Sequence, residues 1–309
     1  MGNGDNEIYD VIIIGGGPAG LTAAIYCGRS GLKVLAFEPM LSGGEITNTD
    51  WLDNYPGFPE GIGGFEFGQL LEKQAQRFNA EIVNESVEEV EISQDLKKVK
   101  TSSREYHGKT VIIAAGTSPL KLGIPGEDEL VGRGISFCAT CDGPFFREKK
   151  VAVIGGGDSA VEEALYLTKF ADRVLLVHRR NKLRAISHLQ DKILNHPQVE
   201  FYWDSVVKEF QGKDKLAKIV IEDVHDSHVK EIDLDGAFVY VGRYPNNSFL
   251  KEEEIKADSQ GFIITNEEME TSIPGVFAAG DIRRKFLRQV VTAAGDGAVA
   301  GMMAVKYLT

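Results

Sequence analysis

Cysteine is scarce, three in 309 residues, which excludes a disulfide framework as the basis of the fold. No apolar run approaches the ~20 residues of a membrane span. The opening MGNGDNEIYD is polar and acidic. It lacks the basic region and apolar stretch of a secretory leader and reads as a short disordered tail. Basic residues are in deficit, 34 against 46 acidic ones, for a net charge of −12. With no basic tract to offset that balance, nucleic acid and anionic membrane are not expected partners. A soluble intracellular protein is the expectation, in which any disulfide works rather than staples.

The remaining composition is 43% hydrophobic and 26% charged, enough apolar material for buried cores and against disorder as the main state. The length exceeds one ordinary core, so two domains are expected. The 34 glycines need a local explanation, and two recurrent segments supply it. Residues 8–20, IYDVIIIGGGPAG, read as a buried strand running into a glycine turn, and residues 149–160, KKVAVIGGGDSA, repeat the pattern. Each leads into a helical stretch and then a second apolar strand, Lys33–Phe37 or Arg173–Val177. Unbroken apolar strands alternating with helices predict parallel sheets covered on both faces. The second unit lies between VIIAAGTSP (111–119) and AFVYVGRYPN (237–246) and reads as an insertion into the first. The segment TSIPGVFAAGDI (271–282) returns to complete the first domain. The charged-apolar alternations over 83–109 and 214–235 predict antiparallel strands with one wet face.

The first turn has the spacing Gly15-x-Gly17-x-x-Gly20. Gly15 permits the tight turn, Gly17 lets backbone approach a pyrophosphate, and Gly20 lets helix meet strand. The helix N-terminus supplies free N–H groups for the phosphates. Glu38 closes the following strand, roughly 20 residues on, where a carboxylate accepts ribose hydroxyl hydrogen bonds. The second turn, Gly155-x-Gly157-x-x-Ala160, is followed instead by His178, Arg179 and Arg180, with Arg184 beyond. Arginines bind a 2′-phosphate through charge-assisted bidentate bonds, whereas an acid repels it. The first site therefore fits FAD or NAD and the second NADP. A plain strand-helix turn and a solvated basic patch are the structural alternatives.

Cys138 and Cys141 form a Cys-x-x-Cys pair in FCATCDGPFF, and Cys27 stands alone. A zinc site needs four ligands, and no second paired motif supplies them, so no metal is expected. In the redox reading one thiol's pKa is lowered and the second resolves a mixed disulfide. Asp142 is then the candidate proton donor and acceptor. NADPH gives two electrons as hydride and a disulfide takes two, so a flavin is required between them. Donor and acceptor then take turns at the flavin by rotation on hinges near Gly116–Pro119 and Gly242–Pro245. A non-turnover flavin redox sensor and a metal scaffold remain the other function classes.

From about Tyr9 onward the chain resembles the low-molecular-weight thioredoxin reductases of bacteria and archaea, through GGGPAG, CATCDGPFF, GGGDSAVEEA, HRRNKLRA and TSIPGVFAAGD followed by RQVVTAAGDGA. The resemblance implies an α/β fold of two Rossmann-like, three-layer ββα nucleotide-binding domains. The FAD domain would comprise 1–116 and 247–309, and the inserted NADPH domain 117–246 would carry the cysteine pair. It implies a homodimer passing electrons from NADPH to FAD, to the cysteines, and to thioredoxin; a reductase of a glutaredoxin- or peroxiredoxin-like protein is the rival reading, and the cytoplasm is the expected location. Cys141 would face the flavin, Cys138 would attack the partner's disulfide, and Asp142 would be the acid-base. The FAD residues would be Gly15, Gly17, Pro18, Ala19, Glu38, Gly44, Glu45, Asn54, Val87, Asp281, Arg288, Gln289 and Val290. The NADPH residues would be Gly156, Gly157, Asp158, Ser159, His178, Arg179, Arg180 and Arg184. Relatives that use ferredoxin lack the NADP motifs, so the arginine cluster argues against that donor.

This chain departs from the family where glutamine usually stands. Glu45 there is expected to lower the flavin potential relative to Glu45→Gln. Pro144 is a second departure, and Phe145 with Phe146 would either face a partner or turn inward. Cys27 is expected to be a small buried residue of the first helix. Trp51 and Tyr55 would either shield the flavin or join the core.

Overall fold

The computed structural model describes residues 7–49, 51–52, 54–92, 95–251 and 255–309. Most of the tail read as disordered (residues 1–6) and Asp53 of the flavin loop lie outside these residues. The chain forms two compact units, 1–118 with 244–309 and 119–243.

The first unit begins with β1 (Ile8–Ile14), α1 (Pro18–Arg29), β2 (Val34–Phe37), α2 (Gly64–Arg77) and β3 (Glu81–Val83). The wet-faced segment becomes β4 (Val87–Glu91), β5 (Lys97–Thr101) and β6 (Glu105–Ile113). Within the sheet the order is β3-β2-β1-β6-β5-β4. β1 is parallel to β2 and β6, whereas β4, β5 and β6 form an antiparallel meander. Side chains alternate across β1. Val11 and Ile13 join the core beneath the helices, while Ile12 and Ile14 join a second core with Val90, Val99 and Tyr106 of the meander. The unit is thus three-layered: helices, parallel sheet, antiparallel strands. The short β7 (Thr117–Pro119) follows.

The second unit repeats the plan. Its elements are α3 (Glu127–Leu130), β8 (Ile135–Ser136), α4 (Ala139–Asp142), β9 (Lys150–Gly155), α5 (Asp158–Leu167), β10 (Arg173–Val177), α6 (Ser187–Ile193) and β11 (Val199–Tyr202). Then come β12 (Ser205–Gly212), β13 (Leu216–Asp223), β14 (Val229–Asp233) and β15 (Gly236–Tyr240). The strand order β11-β10-β9-β15-β8 is parallel throughout. Val151 and Val153 pack under α5 and α6, and Ala152 and Ile154 under the antiparallel sheet β12-β13-β14.

β16 (Arg243–Pro245) pairs with β7 as a two-stranded sheet. The chain then returns to the first unit. β17 (Val276–Ala278) pairs in parallel with Val111–Ile113 of β6, and α7 (Val290–Leu308) closes the helical layer. Helices α1 and α7 cross closely because their contact is lined with small residues. A Cβ at Gly297 would lie 2.1 Å from the Ala19 carbonyl oxygen. Cys27, buried on α1, donates its thiol to the Gly301 carbonyl at 3.5 Å. Burial pushes that thiol up to about 12, so it stays protonated and inert.

Candidate active site

In the second unit Cys138 and Cys141 are joined as a disulfide, with 5.3 Å between their Cα atoms. Cys138 is the extended residue before α4, and Ala139–Asp142 form that single helical turn. Buried Ser136, at the end of β8, organises the loop. Its hydroxyl donates to Asp142 Oδ2 at 2.5 Å and accepts from the Cys138 N–H at 3.0 Å. From the other side Tyr240, last residue of β15, accepts the Ala139 N–H on its hydroxyl oxygen at 2.6 Å. Burial, with the charges of Glu163 and Asp142, pushes the Tyr240 hydroxyl well above its ordinary pKa, so it keeps its proton. Glu163 lies on α5 with Oε2 buried and without a hydrogen-bond partner among the described residues. Burial first, and the neighbouring Glu162 second, push its carboxyl up to about 7. Ser136, Tyr240 and Glu163 were not singled out by sequence reasoning. Ser136 stands two positions before Cys138, Glu163 inside GGGDSAVEEA and Tyr240 inside AFVYVGRYPN, but those motifs carried no role for them.

The turn beneath α5 is built on glycine for steric reasons. A Cβ at Gly156 would lie 2.3 Å from His178 Nδ1, so the imidazole seats directly on the turn. Arg184 donates its backbone N–H to the Gly156 carbonyl at 2.7 Å, and its Nη2 is 4.0 Å from where a Gly157 Cβ would stand. Asp158 accepts the Ile186 N–H at 2.8 Å, tying the helix start to the arginine loop. Ser159, Arg179, Arg180 and Arg184 are exposed. His178 is buried and its Nε2 has no partner among the described residues. Burial, then the charges of Arg184, Arg180 and Arg179, hold its pKa down. Neutral imidazole and the Arg184 guanidinium thus lie at the glycine turn, with Arg179 and Arg180 exposed directly after His178, donor chemistry that suits a 2′-phosphate.

In the first unit Gly15 takes φ +109°, and a Cβ on it would strike the Ala114 carbonyl oxygen at 2.4 Å. A Cβ on Gly20 would stand 1.8 Å from the Gly15 carbonyl oxygen, so only glycine lets α1 start this close to β1. Gly17 differs, since its Cβ would meet nothing nearer than the Gly43 carbonyl oxygen at 3.8 Å. That cradle fits a pyrophosphate over the start of α1. Pro18 stands at the first helical turn and Ala19 is buried behind it. Glu38 is buried and accepts the Gly16 N–H at 2.9 Å and the Met40 N–H at 3.2 Å. Burial raises its carboxyl and those two N–H groups oppose the rise.

The Gly43 N–H donates to the Gly16 carbonyl at 2.8 Å, bringing Gly44 onto the turn. Glu45 is exposed in the short 3₁₀ turn Gly44–Asn48. Val87 opens β4, half-buried. Asp281 lies in the 3₁₀ turn after β17, and Arg288 Nε reaches its carbonyl at 3.5 Å. Asn54 Nδ2 donates to Gln289 Oε1 at 3.0 Å, joining two residues far apart in sequence. Gln289 caps α7 in a box with Thr292, and Val290 is the first helical residue. Behind them lies a cluster the sequence did not announce. Asp296 on α7 accepts the Gly280 N–H at 3.1 Å, Arg283 Nη1 at 3.1 Å and Lys285 Nζ at 2.7 Å.

The paired phenylalanines divide, with Phe146 buried and Phe145 exposed. Tyr55 packs on Phe67, centroids 4.5 Å apart, whereas Trp51 is partly exposed and donates Nε1–H to the Glu60 carbonyl. Among the described residues no three His, Cys, Asp or Glu gather as metal ligands, and no helix is long and apolar enough to cross a membrane.

A disulfide in a loop where the Ser136 hydroxyl holds the Asp142 carboxyl, in the same unit as a glycine turn flanked by arginines, is the arrangement of a nucleotide-dependent disulfide oxidoreductase. The chain belongs to the pyridine nucleotide-disulphide oxidoreductase family, whose model matches residues 9–297. It is 46% identical to a thioredoxin reductase of Bacillus subtilis, covering 98% of this chain and 96% of that one. The crystal structure of thioredoxin reductase from Streptococcus pyogenes superposes with a TM-score of 0.91 at 48% identity, covering 98% and 99% of the two chains. A ferredoxin-flavin thioredoxin reductase from Clostridium acetobutylicum is less alike, at 28% identity and a TM-score of 0.53 over 98% of each chain.

Proposed function

We propose that this protein is an NADPH-dependent FAD flavoprotein that reduces the disulfide of thioredoxin. The observation that carries the reading is the Cys138–Cys141 disulfide set on the Ser136–Asp142 pair. It sits in a unit whose second turn presents three arginines. Those arginines favour NADPH over ferredoxin as donor. The first unit (1–118 and 244–309) holds FAD, with Gly17 open to the pyrophosphate, Glu38 at the ribose, and Asn54, Gln289 and Arg288 at the flavin side. The second (119–243) holds NADPH.

Bound FAD supplies the two-electron carrier between the nicotinamide and sulfur. On reduction the Cys138–Cys141 bond breaks, and one sulfur takes a proton while the other is held as thiolate. Asp142, oriented by the Ser136 hydroxyl, is placed to give and retake that proton. Cys138 then attacks the partner's disulfide, forming a mixed disulfide that Cys141 resolves, releasing the partner as a dithiol. The protein acts as a homodimer in the cytoplasm, where NADPH is regenerated. Exposed Val291, Val299, Met302 and Tyr307 along α7 support a dimer face.

The test is NADPH oxidation coupled to a panel of small dithiol proteins. Cys138→Ser is expected to abolish turnover while NADPH still bleaches the flavin. A Cys138→Ser protein that still reduced thioredoxin would refute the assignment.

A further inference from the structure

The segment that follows Asp142 carries positive charge in an otherwise acidic protein. Arg147, Lys149 and Lys169 are exposed, and none makes an ion pair among the described residues. Each is held instead over an aromatic ring. The Arg147 guanidinium lies 5.1 Å from the Phe170 ring centre, Lys149 Nζ 5.4 Å from that of Phe146, and Lys169 Nζ 5.1 Å from that of Tyr166. Lys149 Nζ also donates to the Phe145 carbonyl at 3.0 Å. The rings are themselves joined, Tyr166 to Phe170 edge-on at 5.3 Å. This layer abuts the redox turn. A Cβ at Gly143, the residue after Asp142, would be 3.5 Å from both Tyr166 and Phe170. Exposed Phe145 adds an apolar element within the same segment.

Ring faces attract cations and restrict side chains that would otherwise roam. Unneutralised, pinned charge costs little only if water or a counter-charge meets it. A net charge of −12 repels an acidic protein at long range, and a local positive face selects where such a protein can approach. We propose that Arg147, Lys149 and Lys169 form the docking face for an acidic surface of the dithiol protein substrate, steering its disulfide to Cys138. The inference rests on the function proposed above. Glu148, Glu162 and Asp172 of the same region are exposed acids, which leave the positive charge concentrated on the three pinned cations.

The experiment compares the wild-type holoenzyme with Arg147→Glu/Lys149→Glu/Lys169→Glu. Substrates are an acidic thioredoxin and a small aromatic disulfide, each at about 20 mM and about 500 mM salt. At low salt the triple variant is expected to lose roughly tenfold in kcat/KM for thioredoxin, mostly through KM. The gap should narrow at high salt, and reduction of the small disulfide should be unchanged. Unaltered thioredoxin kinetics at low salt overturn the docking face. If small-disulfide reduction falls as well, the neutral Gln triple variant decides. A selective thioredoxin KM effect sustains the proposal, and its absence ends it. Wild-type enzyme that reduces no thioredoxin at all would instead overturn the underlying function.

Discussion

Replacing Glu163 with glutamine should reveal a stability cost that depends on pH. The carboxyl is mostly buried and its Oε2 has no hydrogen-bond partner among the described residues. Its pKa moves from the ordinary 4.5 to about 7. At 1.36 kcal/mol per pH unit that displacement corresponds to about 3 kcal/mol. The folded state holds the proton more tightly than the unfolded chain does. Below 4.5 both states are protonated and there is no penalty. Between 4.5 and about 7 the folded state loses ground, by at most about 1.4 kcal/mol per pH unit. Above that window the loss is constant. Glutamine carries no charge at any pH. The variant's stability relative to wild type should therefore rise across the window and level off about 3 kcal/mol higher than at its acid end. Denaturant unfolding of both holoproteins, at pH values spaced through the window, measures the difference directly. Titrating groups that do not interact with Glu163 are common to the two proteins and cancel, and Tyr240 titrates well above the window. A difference that stays constant with pH would refute the reasoning.

Asp296→Ala removes the carboxylate shared by Arg283 and by Lys285, whose side chain is only 8% exposed. Stranding those cations should cost about 3 kcal/mol and lower Tm by several degrees, and an unchanged melting curve would contradict the hub. Arg179→Ala with Arg180→Ala should raise KM for NADPH at least roughly tenfold while leaving KM for NADH nearly unchanged. Steady-state kinetics with both nucleotides decide it, because equal rises would remove the 2′-phosphate assignment.

The parts legible in the sequence are those whose cause is local and steric. Gly15 needs its positive φ for the turn and Gly20 is required by the Gly15 carbonyl within the same strand-turn-helix, so their spacing announces the turn. The apolar strands Ile8–Ile14 and Lys150–Gly155 announce covered parallel sheets because both faces need burial. Arg179, Arg180 and Arg184 stand out because they cluster in HRRNKLRA directly after a strand, in a chain with fewer basic than acidic residues. What was hidden depends on tertiary placement. The Tyr240 hydroxyl reaches Ala139 across 101 positions, and Asn54 reaches Gln289 across 235. Tyr240 and Glu163 lie within recognised segments, AFVYVGRYPN and GGGDSAVEEA, but neither pattern states a role, which comes from what the sheet and α5 bring against the cysteine turn. The adjacent Phe145 and Phe146 part company because a 3₁₀ turn aims one at Phe238 and the other at water.

Helices α1 and α5 both begin on glycine, with no side chain bonding to their first N–H groups. Serine or aspartate ordinarily serves there, and glycine in its place costs a helix roughly a few tenths of a kcal/mol. Under the function proposed above the duty would pass to the coenzymes, whose phosphate oxygens would serve as removable caps. Folding strength is thereby indexed to coenzyme supply, rising by about 1.4 kcal/mol for each tenfold excess of ligand over its Kd. A cell short of flavin or pyridine nucleotide would hold not just an idle protein but a softer one, more readily recycled by proteolysis.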